Sequence, residues 1–154
     1  VAYGRKVGFP VFRGAELSTD RGHLLVYGLD HDDWDPKMAS GLPPAERVLA
    51  RLDRTKVAVF LAHPFFDVFH PTREMLLEFL PKVDGVETIN GSKLIVNEML
   101  AQRMKGVELR GIGGSDAHEP GRLGEAYTLF DRRIESDREL VEALRHGSYT
   151  AVLA

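Results

Sequence analysis

The chain contains no cysteine in its 154 residues. That excludes disulfide bridges and thiolate-bound zinc. Amides are nearly as scarce, with Asn and Gln totalling three, and arginine outnumbers lysine by 14 to 6. This bias fits a GC-rich genome better than adaptation to heat, and it bears on no function. No run approaches ~20 apolar residues, so no segment is expected to cross a membrane. No signal peptide is legible, and a cytoplasmic setting is expected. The net charge of −3 gives no electrostatic basis for strong general binding to nucleic acid. A local basic rim around a cleft is still allowed. Hydrophobic and charged fractions of 44% and 28% are ordinary for a globular protein. A single domain over residues 1–154 is expected, burying roughly two-thirds of its unfolded surface.

Strand and helix patterns alternate along the chain. Strands are expected at 9–17 and 23–29, around the turn-like Thr19-Asp20-Arg21-Gly22. The polar run His31-Asp32-Asp33-Trp34-Asp35-Pro36 and the following Gly41-Leu42-Pro43-Pro44 read as loop. Val48, Leu49 and Leu52 give Ala45 to Thr55 a helical spacing. Then come a buried strand at 57–62, a helix from Thr72 to Leu80, a strand at 84–89 and a helix from Ser92 to Met104. Thr72 and Ser92 are the expected N-caps. Strands at 107–112 and 126–130 and a helix at 136–146 complete the series. Such alternation implies a mostly parallel sheet with outer helices, either an open doubly wound sheet or part of a (β/α) barrel.

The densest chemistry lies in Gly113-Gly114-Ser115-Asp116-Ala117-His118. A strand ending in glycines and then offering an Asp and a His two residues apart suits half of a metal site. Two other segments share the design. The run Val57 to Ala62 stops at His63-Pro64, and Gly14-Ala15 leads to Glu16, with His23 heading the next apolar run. Glu16, His23, His63, Asp116 and His118 are therefore expected at strand ends, where α/β folds collect ligands. Singly, each has a plainer reading: a buried hydrogen-bonded histidine, a surface carboxylate, or a loop cap. Jointly, three histidines and two acids at strand termini favour zinc, manganese or iron.

Other residues carry weaker signals. The acidic run Asp30 to Asp35 reads as a solvated loop, and His31, His70 and His146 as surface residues. Glu87 and Asn90 end a strand on the site side, with substrate contact or local turn bonding as equal readings for Asn90. Arg122 suits a bidentate phosphate contact, and equally a salt bridge to Glu119 or Glu125. Phe65, Phe66 and Phe69 fit core packing better than a ring-binding wall.

The motifs Gly14-Ala15-Glu16-Leu17-Ser18-Thr19, His23 to Leu29, Ala62-His63-Pro64 and Gly114-Ser115-Asp116-Ala117-His118 resemble later motifs of the PHP (polymerase and histidinol phosphatase) superfamily of metal-dependent phosphoesterases. Gly85 to Gly91, Arg122 to Thr128 and Leu144-Arg145-His146-Gly147 extend the resemblance. It implies a partial distorted (β/α)7 TIM-like barrel holding up to three divalent ions. It implies that His23 and His63 share one metal with Glu16, and that Asp116 and His118 belong to a second and a third. Glu16 and Asp116 would be catalytic, and Arg122 and Asn90 would bind a nucleotide, oligonucleotide or small-molecule phosphate ester. The family's opening His-x-His, its Asp-His pair and a further His are missing, so the domain is expected to lack its N-terminal part. Two alternatives follow: a catalytically incomplete piece with a structural or partner-binding role, or a metal hydrolase of the amidohydrolase kind. Unpaired sheet edges would favour self-association.

Overall fold

The computed structural model describes residues 1–29, 41–66 and 71–154. A short helix α1 (Ala2–Lys6) precedes a hairpin of β1 (Gly14–Thr19) and β2 (Gly22–Tyr27). Then follow α2 (Ala45–Leu49), β3 (Ala58–Leu61), α3 (Arg73–Phe79), β4 (Gly85–Asn90), α4 (Leu94–Arg103) and β5 (Gly111–Gly114). The chain ends with β6 (Ala126–Phe130), α5 (Asp137–His146) and β7 (Tyr149–Leu153). No helix among the described residues is long and apolar enough to cross a membrane.

The expected (β/α)7 barrel is not formed. The described strands make an open five-stranded sheet in the order β1-β2-β3-β4-β5, with β6 and β7 as a separate two-stranded sheet. The larger sheet is mixed: β1–β2 and β2–β3 are antiparallel, while β3–β4 and β4–β5 are parallel. The turn between β1 and β2 is too short for a helical crossover, and a link of that length can only make a hairpin. The Thr19 hydroxyl fastens it by donating to the Gly22 carbonyl at 2.6 Å and accepting from the Arg21 N–H at 3.1 Å. Closure would require β5 to pair with β1, yet these are the two outer strands. At β5, the Thr128 hydroxyl instead donates to the Gly113 carbonyl at 2.9 Å and accepts from its N–H at 3.0 Å.

Strand β3 shows why the sheet is covered on both faces. Val57, Val59 and Leu61 pack with Leu24, Val26, Leu76, Phe79, Val86 and Leu100 on one side. Ala58 and Phe60 face Ile112, Leu140, Val141 and Leu144 on the other. An unbroken apolar run is the pattern of a strand buried on both faces. Phe60 is fully buried, and truncating such a ring typically costs about 3–5 kcal/mol.

The helix ends are partly as expected. The Thr72 hydroxyl accepts from the Met75 N–H at 3.3 Å, and Ser136 caps α5 by accepting from the Glu139 N–H at 3.2 Å. Ser92 does not cap α4, because its hydroxyl reaches across to the carbonyls of Ser115 and Asp116, both at 2.9 Å. The Asn90 side chain takes over, accepting from the N–H groups of Ser92 and Lys93. Helix α2 stops at Leu49 rather than Thr55, since Asp53 turns the chain by accepting from both the N–H and the hydroxyl of Thr55. Strand β5 starts at Gly111 and includes the two glycines. A Cβ at Gly113 would lie 2.4 Å from the Tyr127 carbonyl oxygen, so only glycine admits the β6–β7 sheet there. Strand β7 is absent from the sequence reading; it gains its identity from pairing along the whole of β6.

A charge cluster ties α5 to the sheet. Asp84, just before β4, accepts from the Val59 N–H at 2.7 Å and from Arg54 at 2.8 Å, with Arg145 at 3.3 Å. Arg145 also donates to the Arg54 carbonyl at 2.7 Å. Asp84→Ala should strip two arginines and a strand N–H of their acceptor. Both arginines keep some contact with water, so we expect a loss of about 2–3 kcal/mol, or roughly 4–10 °C in melting temperature. Urea and thermal denaturation test this, and a variant melting with the wild type would show the cluster to be neutral.

Candidate metal centre

The sheet geometry assembles the site. Strand β1 runs in the same direction as β3, β4 and β5, because two antiparallel steps separate β1 from β3. The carboxyl ends of these four strands and the start of β2 therefore share one end of the sheet. Leu24 lies opposite Leu61, and the Ala62 N–H donates to the His23 carbonyl at 2.9 Å. That register puts His63 one residue beyond the partner of His23. Ser18 faces His23, so Glu16 sits diagonally from it on the same sheet face, within side-chain reach.

Three side chains converge there. Ligand atoms of Glu16, His23 and His63 all lie within 4.8 Å of one another. Glu16 Oε1 contacts both His23 Nδ1 and His63 Nε2, the latter at 3.3 Å. The two imidazole rings meet edge to face with centroids 5.2 Å apart. Ligands bound at about 2.0–2.1 Å to one tetrahedral zinc would lie roughly 3.3 Å from each other, which is the His63–Glu16 separation. Two imidazoles and one carboxylate also form a donor set that suits zinc, manganese or iron. The residues present fit a divalent transition metal. Glu16 and His23 lie within strands rather than at strand ends, a consequence of the hairpin.

Electrostatics hold the carboxylate ready as a ligand. The hydrogen bond from His63 pulls the Glu16 pKa down to about 2 against the opposing push of burial, and His23 adds to the effect. Burial pushes His63 down, but its hydrogen bond to Glu16 and the neighbouring carboxylates outweigh that and leave it raised. The second ring nitrogen of His63 is buried without a hydrogen-bond partner among the described residues. An unpaired buried group costs about 1–3 kcal/mol and is a feature that functional sites retain. His63 (φ 21°), Phe65 (φ 75°) and Asp116 (φ 47°) are the non-glycine residues with positive φ among those described. Left-handed backbone at such residues is strained, and it gathers at functional sites.

Asp116 and His118 lie outside the three-residue cluster. The Asp116 carboxylate pairs with the Lys93 ammonium and accepts from Asn90 at 3.2 Å. Burial pushes its pKa up, but Lys93 and Asn90 reverse this and hold it low. His118 is largely exposed and donates to the Asp116 carbonyl at 2.9 Å. Buried Glu87 accepts from the His63 N–H at 2.8 Å and from Asn90 at 3.0 Å. Burial raises its pKa. A Cβ at Gly114 would approach the Glu87 carboxylate to 2.8 Å, so glycine makes room for this buried acid.

Asn90 spends its amide within the chain: both hydrogens go to Glu87 and Asp116, and the oxygen caps α4. Arg122 pairs with Glu125 at 2.7 and 2.9 Å and touches the Gly91 carbonyl at 3.3 Å. Phe65 is core, whereas Phe66 is half exposed, with its ring 5.9 Å from that of His63. Phe69, His70, His31 and the acidic run Asp30 to Asp35 lie outside the described residues. Sequence reasoning missed Lys93, which carries no motif and meets Asp116 only through the parallel β4–β5 pairing.

Residues 95–149, about a third of the chain, match the family model described as PHP-associated. The matched stretch includes Asp116, His118 and Arg122 and leaves out Glu16, His23 and His63. No curated protein matches the chain.

The pKa directions set a pH dependence for the metal-free protein. Glu16, with a lowered folded value, stabilises fully above its ordinary 4.5, and that contribution is lost as pH falls toward 2. His63, with a raised value, stabilises below its ordinary 6.5 and loses this as pH rises through the folded value. In chelator-treated protein, the stability gap between wild type and Glu16→Gln should be widest between these limits and narrow on either side. Melting curves from pH 2 to 9 would read it, and parallel profiles would show that the three side chains do not interact.

Proposed function

We propose that this chain, PHP-related over residues 95–149, carries the metal centre of a hydrolase acting on phosphate esters. The carrying observation is the convergence of Glu16, His23 and His63 to within 4.8 Å. A zinc, manganese or iron ion held by them would polarise a phosphoryl oxygen and acidify a bound water. The chain's own contribution is to present an ionised carboxylate and two imidazoles on adjacent strands, so that little rearrangement is needed to bind. Phe66 and Lys93 stand beside His63 and offer an apolar face and a positive charge to a substrate. Arg122 would reach phosphate by exchanging its Glu125 contact, as its planar fork allows. The substrate class is a nucleotide, oligonucleotide or small-molecule phosphate.

A second reading has support in the placement of Asp116 and His118 away from the ligand cluster. With a single trio of ligands, the chain would bind metal and serve as a structural or partner-binding piece without turnover. The outer edge of β1 has no strand neighbour among the described residues, which supports strand pairing with a second copy. Sedimentation across a concentration series tests that, and a monomer throughout would refute it.

Hydrolysis of p-nitrophenyl phosphate and its bis ester, assayed with added manganese or zinc, separates the two main readings. His63→Ala should lose the bound metal and reduce hydrolysis by more than the ~10–100-fold that loss of a ligand's supporting partner typically costs. Metal content unchanged in His63→Ala would sink the assignment. Turnover of an amide but not of either phosphate would select the amidohydrolase alternative.

A further inference from the structure

Lys93 stands outside the ligand trio of the proposed centre. It sits where β4 turns into α4, its own N–H held by the Asn90 side chain at 2.8 Å. Its ammonium pairs with Asp116 Oδ2 and lies 4.8 Å above the centre of the Phe66 ring. Lys93 and Asp116 are 16% and 13% exposed at their side chains, so this is a largely desolvated pair rather than a surface bridge. The Asn90 amide donates to the same Asp116 oxygen at 3.2 Å, and the Ser92 hydroxyl ties down the Asp116 carbonyl at 2.9 Å. The ammonium is thus held by a carboxylate and an aromatic face, while the Asn90 amide and the Ser92 hydroxyl fix Asp116 in its turn. Phe66 also packs against His63, and Lys93 acts electrostatically on that imidazole. The ammonium therefore borders the Glu16, His23 and His63 trio.

We infer that the Lys93 ammonium is a built-in cation occupying the place a second metal would take on Asp116, so that the site holds one transition metal and one fixed lysine charge. The inference rests on the metal-centre reading of the trio and adds what neighbours it. A divalent ion at Asp116 would meet an ammonium in a poorly hydrated pocket, where like charges repel strongly. At Oδ2 it would also have to displace two hydrogen bonds. The remaining oxygen, Oδ1, is 3.7 Å from His118 Nδ1, a mostly exposed ring that cannot replace the lost neutralisation. A lysine is a compact point charge with three donors. Beside a single metal it binds and orients phosphate oxygens, but it acidifies no water, so water activation is left to the trio alone.

Metal counting tests this without any activity assay. Protein loaded with manganese or zinc, desalted and analysed by elemental mass spectrometry should hold about one ion per chain in the wild type and in Lys93→Arg, which keeps the charge. Lys93→Met, of similar length and neutral, should hold about two, falling back to about one in the Lys93→Met/Asp116→Asn double variant. Asp116→Asn alone should leave the wild-type count unchanged, a result independent of whether Lys93→Met folds. A count that stays at one in folded Lys93→Met overturns the inference and spares the centre. A wild type that already holds two ions, one of them lost in Asp116→Asn, overturns it as well. A wild type with none sinks the metal-centre reading, and this inference with it.

Discussion

The antiparallel pairing of β2 with β3 is the constraint on which the rest depends. Leu24 opposite Leu61 fixes the register, and side-chain alternation then leaves no freedom over which face each residue takes. A slip of one residue would turn His23 into the apolar layer around Leu76 and Phe79 and expose Leu24 in its place. With the register set, His63 follows directly beyond the partner of His23, and the tight β1–β2 hairpin carries Glu16 to the same spot. The core on both faces of β3 holds that register, because a shift would unpack Val59 and Phe60 together. The stability of the core and the geometry of the site are therefore one problem with one solution.

Three acids crowd this end of the sheet, and each is neutralised in its own way. Glu16 sits between two imidazoles and is held ionised. Asp116 is held low by a lysine and an amide, despite burial. Glu87 accepts from an N–H and an amide, and burial raises it. Asn90 connects the last two by donating one hydrogen to each carboxylate. Neighbouring carboxylates pushed in opposite directions mark a site whose charges are arranged, as distinct from a solvated acidic face.

Much of the scaffold was legible from local rules. The unbroken apolar run of β3, the cap at Thr72 and the turn at Thr19 to Gly22 express short-range physics that neighbouring residues determine. The candidate site was legible in part for the same reason: His63 ends the apolar run of β3, whereas Glu16, inside β1, reaches it only through the hairpin. What failed depended on distant partners. Strand β7 exists because β6 lies beside it. Ser92 gave up its capping role because two carbonyls more than twenty residues away were within reach. The barrel expectation failed because alternating strands and helices do not state whether the first strand meets the last.

The sequence by itself determined most of the element types, the two-sided burial of the central strand and the short roster of groups able to ligate a metal. Those follow from periodicity, capping chemistry and the donor atoms each side chain owns. The tertiary structure alone decided which of them meet. It joined Glu16, His23 and His63, gave Asp116 to Lys93 and left His118 facing water. Strand order and direction make that choice. Both are set by pairing between segments far apart in the chain, and no local pattern encodes which pair forms.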